Sequence, residues 1–216
     1  MGAYMTDIYG TLFDRIIAGV YKADTRLKEE LLGAEFKVSR TPIREALRML
    51  AQDGLVEILP RRSAIVLGFT VDDVEEIYDI RKSLEIQALR SSVQNLSIEK
   101  LKDLRSRLVE VSGSADYHAH QAIDADLHNS FIEASRKKRL IKILQQMFRL
   151  IQQFRELGFK DPAVRVSASQ AHMDLLDSLS VRDLAEAEKI LLNHIEMSKK
   201  NAISLIVRGD FTHASS

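Results

Sequence analysis

Apolar residues recur every three or four positions along most of this chain, so helices dominate the pattern. Ile8, Leu12, Ile16 and Val20 mark one side of a first helix. A short second helix fits residues 28–34, with Leu31 and Leu32 facing inward. A third follows Ser39 or Thr41, either of which can cap it, and Pro42 suits its first turn, where no backbone N–H is needed. Ile43, Ala46, Leu47 and Leu50 form its apolar stripe, and the Asp53-Gly54 pair ends it. The texture then changes. VEIL and AIVLG read as two short strands around PRRS, a hairpin with a basic tip. Three helices and a hairpin within residues 1–67 predict a winged helix-turn-helix.

From Thr70 onward no run alternates as a strand does. Thr70 and Asp73 carry a capping-box signature ahead of a long helix. Further helices are predicted over residues 97–112, 117–134, 137–157, 163–179 and 181–207. Gly and Pro are sparse here apart from Gly113, Gly158 and Pro162. Residues 70–210 therefore predict an all-helical domain, and the fold class is mainly α: an N-terminal winged helix-turn-helix followed by a C-terminal antiparallel helical bundle. No internal repeat or low-complexity segment interrupts it.

Composition narrows the chemistry. The 216 residues include no cysteine, which excludes a disulfide framework and thiolate metal sites, so any metal must be held by His, Asp or Glu. Thirty-one basic residues balance thirty-one acidic ones, and only local clustering can point to a partner. No apolar run approaches the roughly 18 residues of a membrane span, and the N-terminus lacks the order of a secretory signal, so a cytoplasmic location is expected. Lys37, Arg40, Arg44 and Arg48 fall within twelve residues, against a single Glu45. Arg40, Arg44 and Arg48 recur every four residues on the face opposite Ile43, Leu47 and Leu50. With the Arg61-Arg62 tip, they suit a helix that turns one side to the core and the other to phosphates and base edges of double-stranded DNA.

The six histidines are the second cluster of interest. His128, His172 and His194 lie inside three separate predicted helices, and Asp124 shares a helix face with His128 four residues on. Each can be a core residue bonded to its neighbour. If the four converge, one carboxylate and three imidazoles make a shell for zinc, nickel, manganese or iron, with a position left open. An open site can also activate water, so a metal-dependent hydrolase or lyase is the rival reading. Against it, no general base can be placed beside the quartet: Glu133 is five residues from His128 and off its face.

The run V38-S-R-T-P-I-R-E-A-L-R-M-L-A-Q-D-G-L-V56 resembles the DNA-binding domain of GntR-type bacterial transcription regulators. The helical half resembles the FCD effector domain of their fatty-acid-regulator branch, which carries a DxxxH pair and then one His on each of two later helices. Asp124, His128, His172 and His194 fall in that order, and IRKSLE, with Arg81 and Glu85, looks like that domain's first helix. The resemblance covers nearly the whole chain. It implies a homodimeric repressor or activator rather than an enzyme, reading a palindromic operator with the helix after the turn and the wing. It also implies one divalent transition metal per chain, zinc or nickel foremost and manganese next, in a pocket for a small carboxylate effector. By position, Ser39, Arg40, Thr41 and Arg44 would contact backbone and bases, Arg48 extends the basic face, and Arg62 belongs to the wing. Arg81 is the expected second anchor for the carboxylate, since an arginine can grip one bidentately. The chain departs from the pattern at Phe36-Lys37-Val38, where LGV is frequent. It departs also at Arg62-Ser63, where Arg-Gly is frequent, and at Arg136-Lys137, where Gly-Asn is usual.

Overall fold

The computed structural model describes residues 2–60 and 63–209. The chain divides into two compact units, Met1–Val71 with Ile206–Ser216, and Asp72–Leu205.

The first unit is built from α1 (Gly2–Ile17), β1 (Arg26–Lys28), α2 (Glu29–Phe36), α3 (Arg40–Gln52), β2 (Val56–Leu59) and β3 (Ser63–Val66). α1 packs on α3, burying Ile8, Leu12, Phe13 and Ile16 against the predicted stripe Ile43, Ala46, Leu47 and Leu50. Val20 does not join them. α1 ends at Ile17, Gly19 takes φ +71°, and Val20 is 66% exposed beyond the turn. Leu31 is also corrected, at 63% exposed, because the eight-residue α2 turns only one narrow face inward, and Leu32 occupies it. Ser39 stands at the N-cap of α3 with extended backbone, but its side chain makes no capping hydrogen bond.

The turn between α2 and α3 explains one departure from the family pattern. Lys37 adopts a left-handed conformation (φ +55°), with its N–H donating to Ala34 O at 3.3 Å and the Val38 N–H to Gly33 O at 3.0 Å. This pairing satisfies the last carbonyls of α2 and ordinarily selects glycine. A side chain there costs roughly 1–2 kcal/mol, so Lys37 closes the same turn at some strain.

The strands form one antiparallel sheet in the order β1-β3-β2. Val56 pairs with Val66 and Leu59 with Ser63, while Leu27 of β1 pairs with Ala64. The hairpin agrees with its sequence expectation. β1 was not anticipated: it is three residues long and buries only Leu27, too little for an alternating signal. Arg61 and Arg62 lie outside the described residues, and with them the expected basic tip.

The second unit is a helical bundle. It takes in most of α4 (Val71–Ser92), then α5 (Ile98–Ser112), α6 (Tyr117–Ala134), α7 (Lys138–Leu150), α8 (Gln152–Lys160), α9 (Pro162–Ser180) and most of α10 (Leu184–Val207). α6 packs against α5, α8 and α9, and α9 also packs against α5 and α8. The single helix expected over 137–157 is broken at Ile151, whose backbone (φ −89°, ψ 2°) leaves helical geometry while its side chain is fully buried. The apolar period passes through this break, which is why it gave no signal. α10 starts later than the expected residue 181. Val181 is exposed, Arg182 takes φ +60°, and the Asp183 carboxylate accepts from the Glu186 N–H at 3.0 Å, capping the helix. Among the described residues no helix is long and apolar enough to cross a membrane.

Candidate metal centre and DNA-reading face

Asp124 and His128 project from α6, His172 from α9 and His194 from α10, and all four are buried. One ligand atom from each lies within 4.8 Å of the others. The Nε2 atom of His194 is 3.3 Å from Nε2 of both His128 and His172. Asp124 Oδ1 lies 3.1 Å from His172 Nε2, 3.6 Å from His128 Nε2 and 3.8 Å from His194 Nε2. Nitrogens bound 2.0–2.1 Å from one ion stand roughly 2.8–3.4 Å apart at angles from right to tetrahedral, so the spacing matches a shared ion. The sequence places these four on three elements, and the fold brings them together.

The imidazoles are in the form that a metal ligand takes. Burial, followed by the neighbouring His128, pushes His172 well below its ordinary range, and burial with His172 does the same to His194. Neutral rings keep a nitrogen lone pair for a metal. His128 Nδ1 lies 2.5 Å from Glu85 Oε2. With Nδ1 donating to that carboxylate, Nε2 is free to face the other ligands, the outer-sphere arrangement common among metal-bound histidines.

Glu85 and Arg81 form an ion pair one helical turn apart on α4, and both are buried. Burial pushes the Glu85 carboxyl up, but the charges of Arg81 and His128 outweigh it and hold it down to about 2. Removing one member of a buried pair strands the other, so Glu85→Gln is expected to lower stability by about 3–5 kcal/mol at neutral pH in urea unfolding. Above its ordinary value of 4.5 the ionised Glu85 contributes in full. As pH falls from there toward about 2, the unfolded chain takes up a proton that the folded one refuses, and the contribution is lost. A wild-type advantage unchanged from pH 7 to pH 3 would show that Glu85 is not held ionised.

No local pattern in the sequence marks Arg155. It projects from α8 and its Nη2 contacts Asp124 Oδ2, so Asp124 turns one oxygen to the imidazoles and the other to a guanidinium. Burial and the charge of Arg81 lower Arg155 to about 10, which leaves it protonated at neutral pH. Arg81, Asp124, Arg155 and His194 reach the wall of a small cavity of about 70 Å³, with Phe154 and Val164 on its apolar side. Arg81 gives Nε to Glu85, and its Nη1 is buried without a hydrogen-bond partner.

On α3, Ser39, Arg40, Thr41 and Arg48 are exposed and Arg44 is half-buried. Arg44 Nε and Nη2 each donate to a Glu29 oxygen at 2.9 Å, and that hydrogen bonding raises its pKa. Arg40 lies 3.5 Å from Glu30, and Arg48 donates to Glu45 at 2.7 Å. The sequence count set only Glu45 against these arginines. Glu29 and Glu30 belong to the preceding helix, and only the turn at Lys37 brings them alongside.

Comparison with known families bears on both units. The family model "Bacterial regulatory proteins, gntR family" matches residues 5–66, and that of the FCD domain matches residues 76–197. The chain is a GntR-family regulator with an FCD domain. That membership supports a regulatory, non-enzymatic role, and the metal-dependent hydrolase or lyase reading loses its ground. An uncharacterized HTH-type transcriptional regulator of Bacillus subtilis, YdhC, is 28% identical over 196 residues, 88% of this chain and 87% of that protein. The gluconate operon transcriptional repressor of Bacillus licheniformis is 35% identical over 129 residues, 55% of this chain and 53% of that one. Among solved structures, Escherichia coli McbR/YncC superposes with a TM-score of 0.74 at 19% identity, over 95% of this chain and all of that one, a likeness of fold. This GntR-family chain thus joins a DNA-binding unit to a helical domain that holds a buried Asp–His₃ cluster.

Proposed function

We propose that this regulator binds a palindromic operator as a homodimer in the cytoplasm and answers to a small carboxylate that binds at a metal centre. Residues 1–67 form the DNA-binding domain and residues 70–210 the metal- and effector-binding domain, of the fatty-acid-regulator branch. Asp124, His128, His172 and His194 hold one divalent transition metal per chain, zinc or nickel foremost and manganese next, since an oxygen and three nitrogens suit all three. The bound ion supplies an open coordination position, and Arg81 grips the effector from the cavity wall. Ser39, Arg40, Thr41, Arg44, Arg48 and the wing residue Arg62 meet the DNA.

The observation that carries this reading is the convergence of four buried ligand atoms beside a cavity that two arginines also reach. One relative regulates an operon named for gluconate, itself a small carboxylate. The effector can shift operator affinity only through unequal affinity for two arrangements of the DNA-reading heads.

Titrating small carboxylates into metal-loaded protein by calorimetry tests the pocket, and fluorescence anisotropy of labelled operator DNA tests the response. Binding is expected in the wild type and lost in H172A and H194A. Binding that survives in both variants overturns the metal-centred pocket. A carboxylate that binds yet leaves operator affinity unchanged overturns the sensing role.

A further inference from the structure

We propose that the pocket is shaped for a short dicarboxylate, with one carboxylate meeting the ion and the other meeting the guanidinium groups of Arg155 and Arg81. The inference rests on the metal reading above and deepens it by naming the effector's charge.

Four charged side chains surround the cluster. Arg81 and Arg155 are cationic, Glu85 and Asp124 are anionic, and the two signs cancel. A divalent ion held by neutral imidazoles then leaves two positive charges in excess. Burying uncompensated charge is costly, and a low-dielectric site favours whatever ligand neutralises it. A monocarboxylate would leave one charge unmet. A dianion leaves none.

The positions of the arginines indicate where the second charge would sit. The Arg81 and Arg155 guanidinium carbons lie 5.1 and 5.3 Å from the centroid of the same Phe148 ring. Both side chains also line the cavity, so an anion seated there would face two cations. Arg81 also holds the unpartnered Nη1 described above, a donor awaiting an acceptor. Asp124 presents Oδ1 to the imidazoles and Oδ2 to Arg155, so an ion held by the imidazoles and the Arg155 guanidinium would flank one carboxylate. A ligand engaging both therefore needs its two charges a few bonds apart, which separates a diacid from inorganic phosphate. Size agrees: one water occupies roughly 10–15 Å³ on this measure, so about 70 Å³ takes only a short molecule. Phe154 and Val164 offer the apolar contact that connecting methylenes need.

Succinate and succinamate test this directly, because they differ only in exchanging one carboxylate for an amide. Each would be titrated by calorimetry into full-length protein whose bound metal has first been measured, alongside inorganic phosphate, in wild type, R155Q and R155K. In the wild type, succinate is expected to bind at least tenfold tighter than succinamate and tighter than phosphate. R155K should keep that preference, and R155Q, with its metal retained, should lose it. Equal affinity for the two amide-related ligands, binding of neither, or a preference for phosphate in metal-loaded wild type overturns the dicarboxylate and leaves the metal centre standing. Protein that takes up no metal overturns the metal centre itself, and the charge count falls with it.

Discussion

Protein purified without a metal-affinity tag is expected to carry close to one equivalent of transition metal per chain, and the D124A/H128A variant almost none. Elemental analysis of the two preparations reads this directly. The double substitution removes two of four ligands, including the oxygen that stands 3.1–3.8 Å from the three imidazole nitrogens. His172 and His194 alone, on separate helices, are a poor site for an ion that takes four or more donors. The loss should show in stability as well. A ligand present at 1,000 times its dissociation constant stabilises the state that binds it by about 4 kcal/mol. A chelator should therefore lower the melting temperature of the wild type and leave that of the variant unmoved. If wild-type protein takes up nothing even after reloading with zinc, nickel or manganese, the quartet is a hydrogen-bonded core cluster.

R44A is expected to weaken binding to the specific operator by roughly ten- to a hundredfold while changing binding to unrelated DNA far less. A bidentate arginine–guanine contact is worth roughly 1–3 kcal/mol of discrimination against the wrong base. Competition binding at fixed ionic strength measures both quantities. Arg44 suits the role because Glu29 already holds its guanidinium by two hydrogen bonds, so little side-chain freedom is left to lose at the interface. Equal weakening on every sequence would assign Arg44 to a phosphate, as would a matching drop in the salt dependence. A salt dependence near zero for the wild type would count against a DNA-binding role for the whole face.

Legibility in the sequence followed the range of the interaction. The α3 stripe was readable because four apolar side chains keep helical spacing and all reach the core. Leu31 and Val20 kept the same spacing and failed, one on the outer face of a short helix and the other past a left-handed glycine. Spacing alone does not say where a helix stops or which narrow face it turns inward. The quartet was visible because histidine is scarce here and His128, His172 and His194 lie in the interiors of three separate helices. Its partners were harder to see. Glu85 meets His128 from 43 positions away and Arg155 meets Asp124 from 31, and no local pattern marks either pair. The same holds for Glu29, which opens α2 and shares no helical period with Arg44 on α3.

Of the three helices that supply the four ligands, α6 lies well before α9 and α10 in sequence, and the chain has no cysteine with which to lock them. An ion seated among them would act as a removable cross-link, closing long loops that the unfolded chain would otherwise leave open. Its strength would follow the free metal concentration, which no disulfide does. Proteolysis proceeds largely through transiently opened states. A cell short of metal would therefore hold a regulator that opens more often and is cleared sooner, so the amount of protein, and not only its occupancy, would report metal supply.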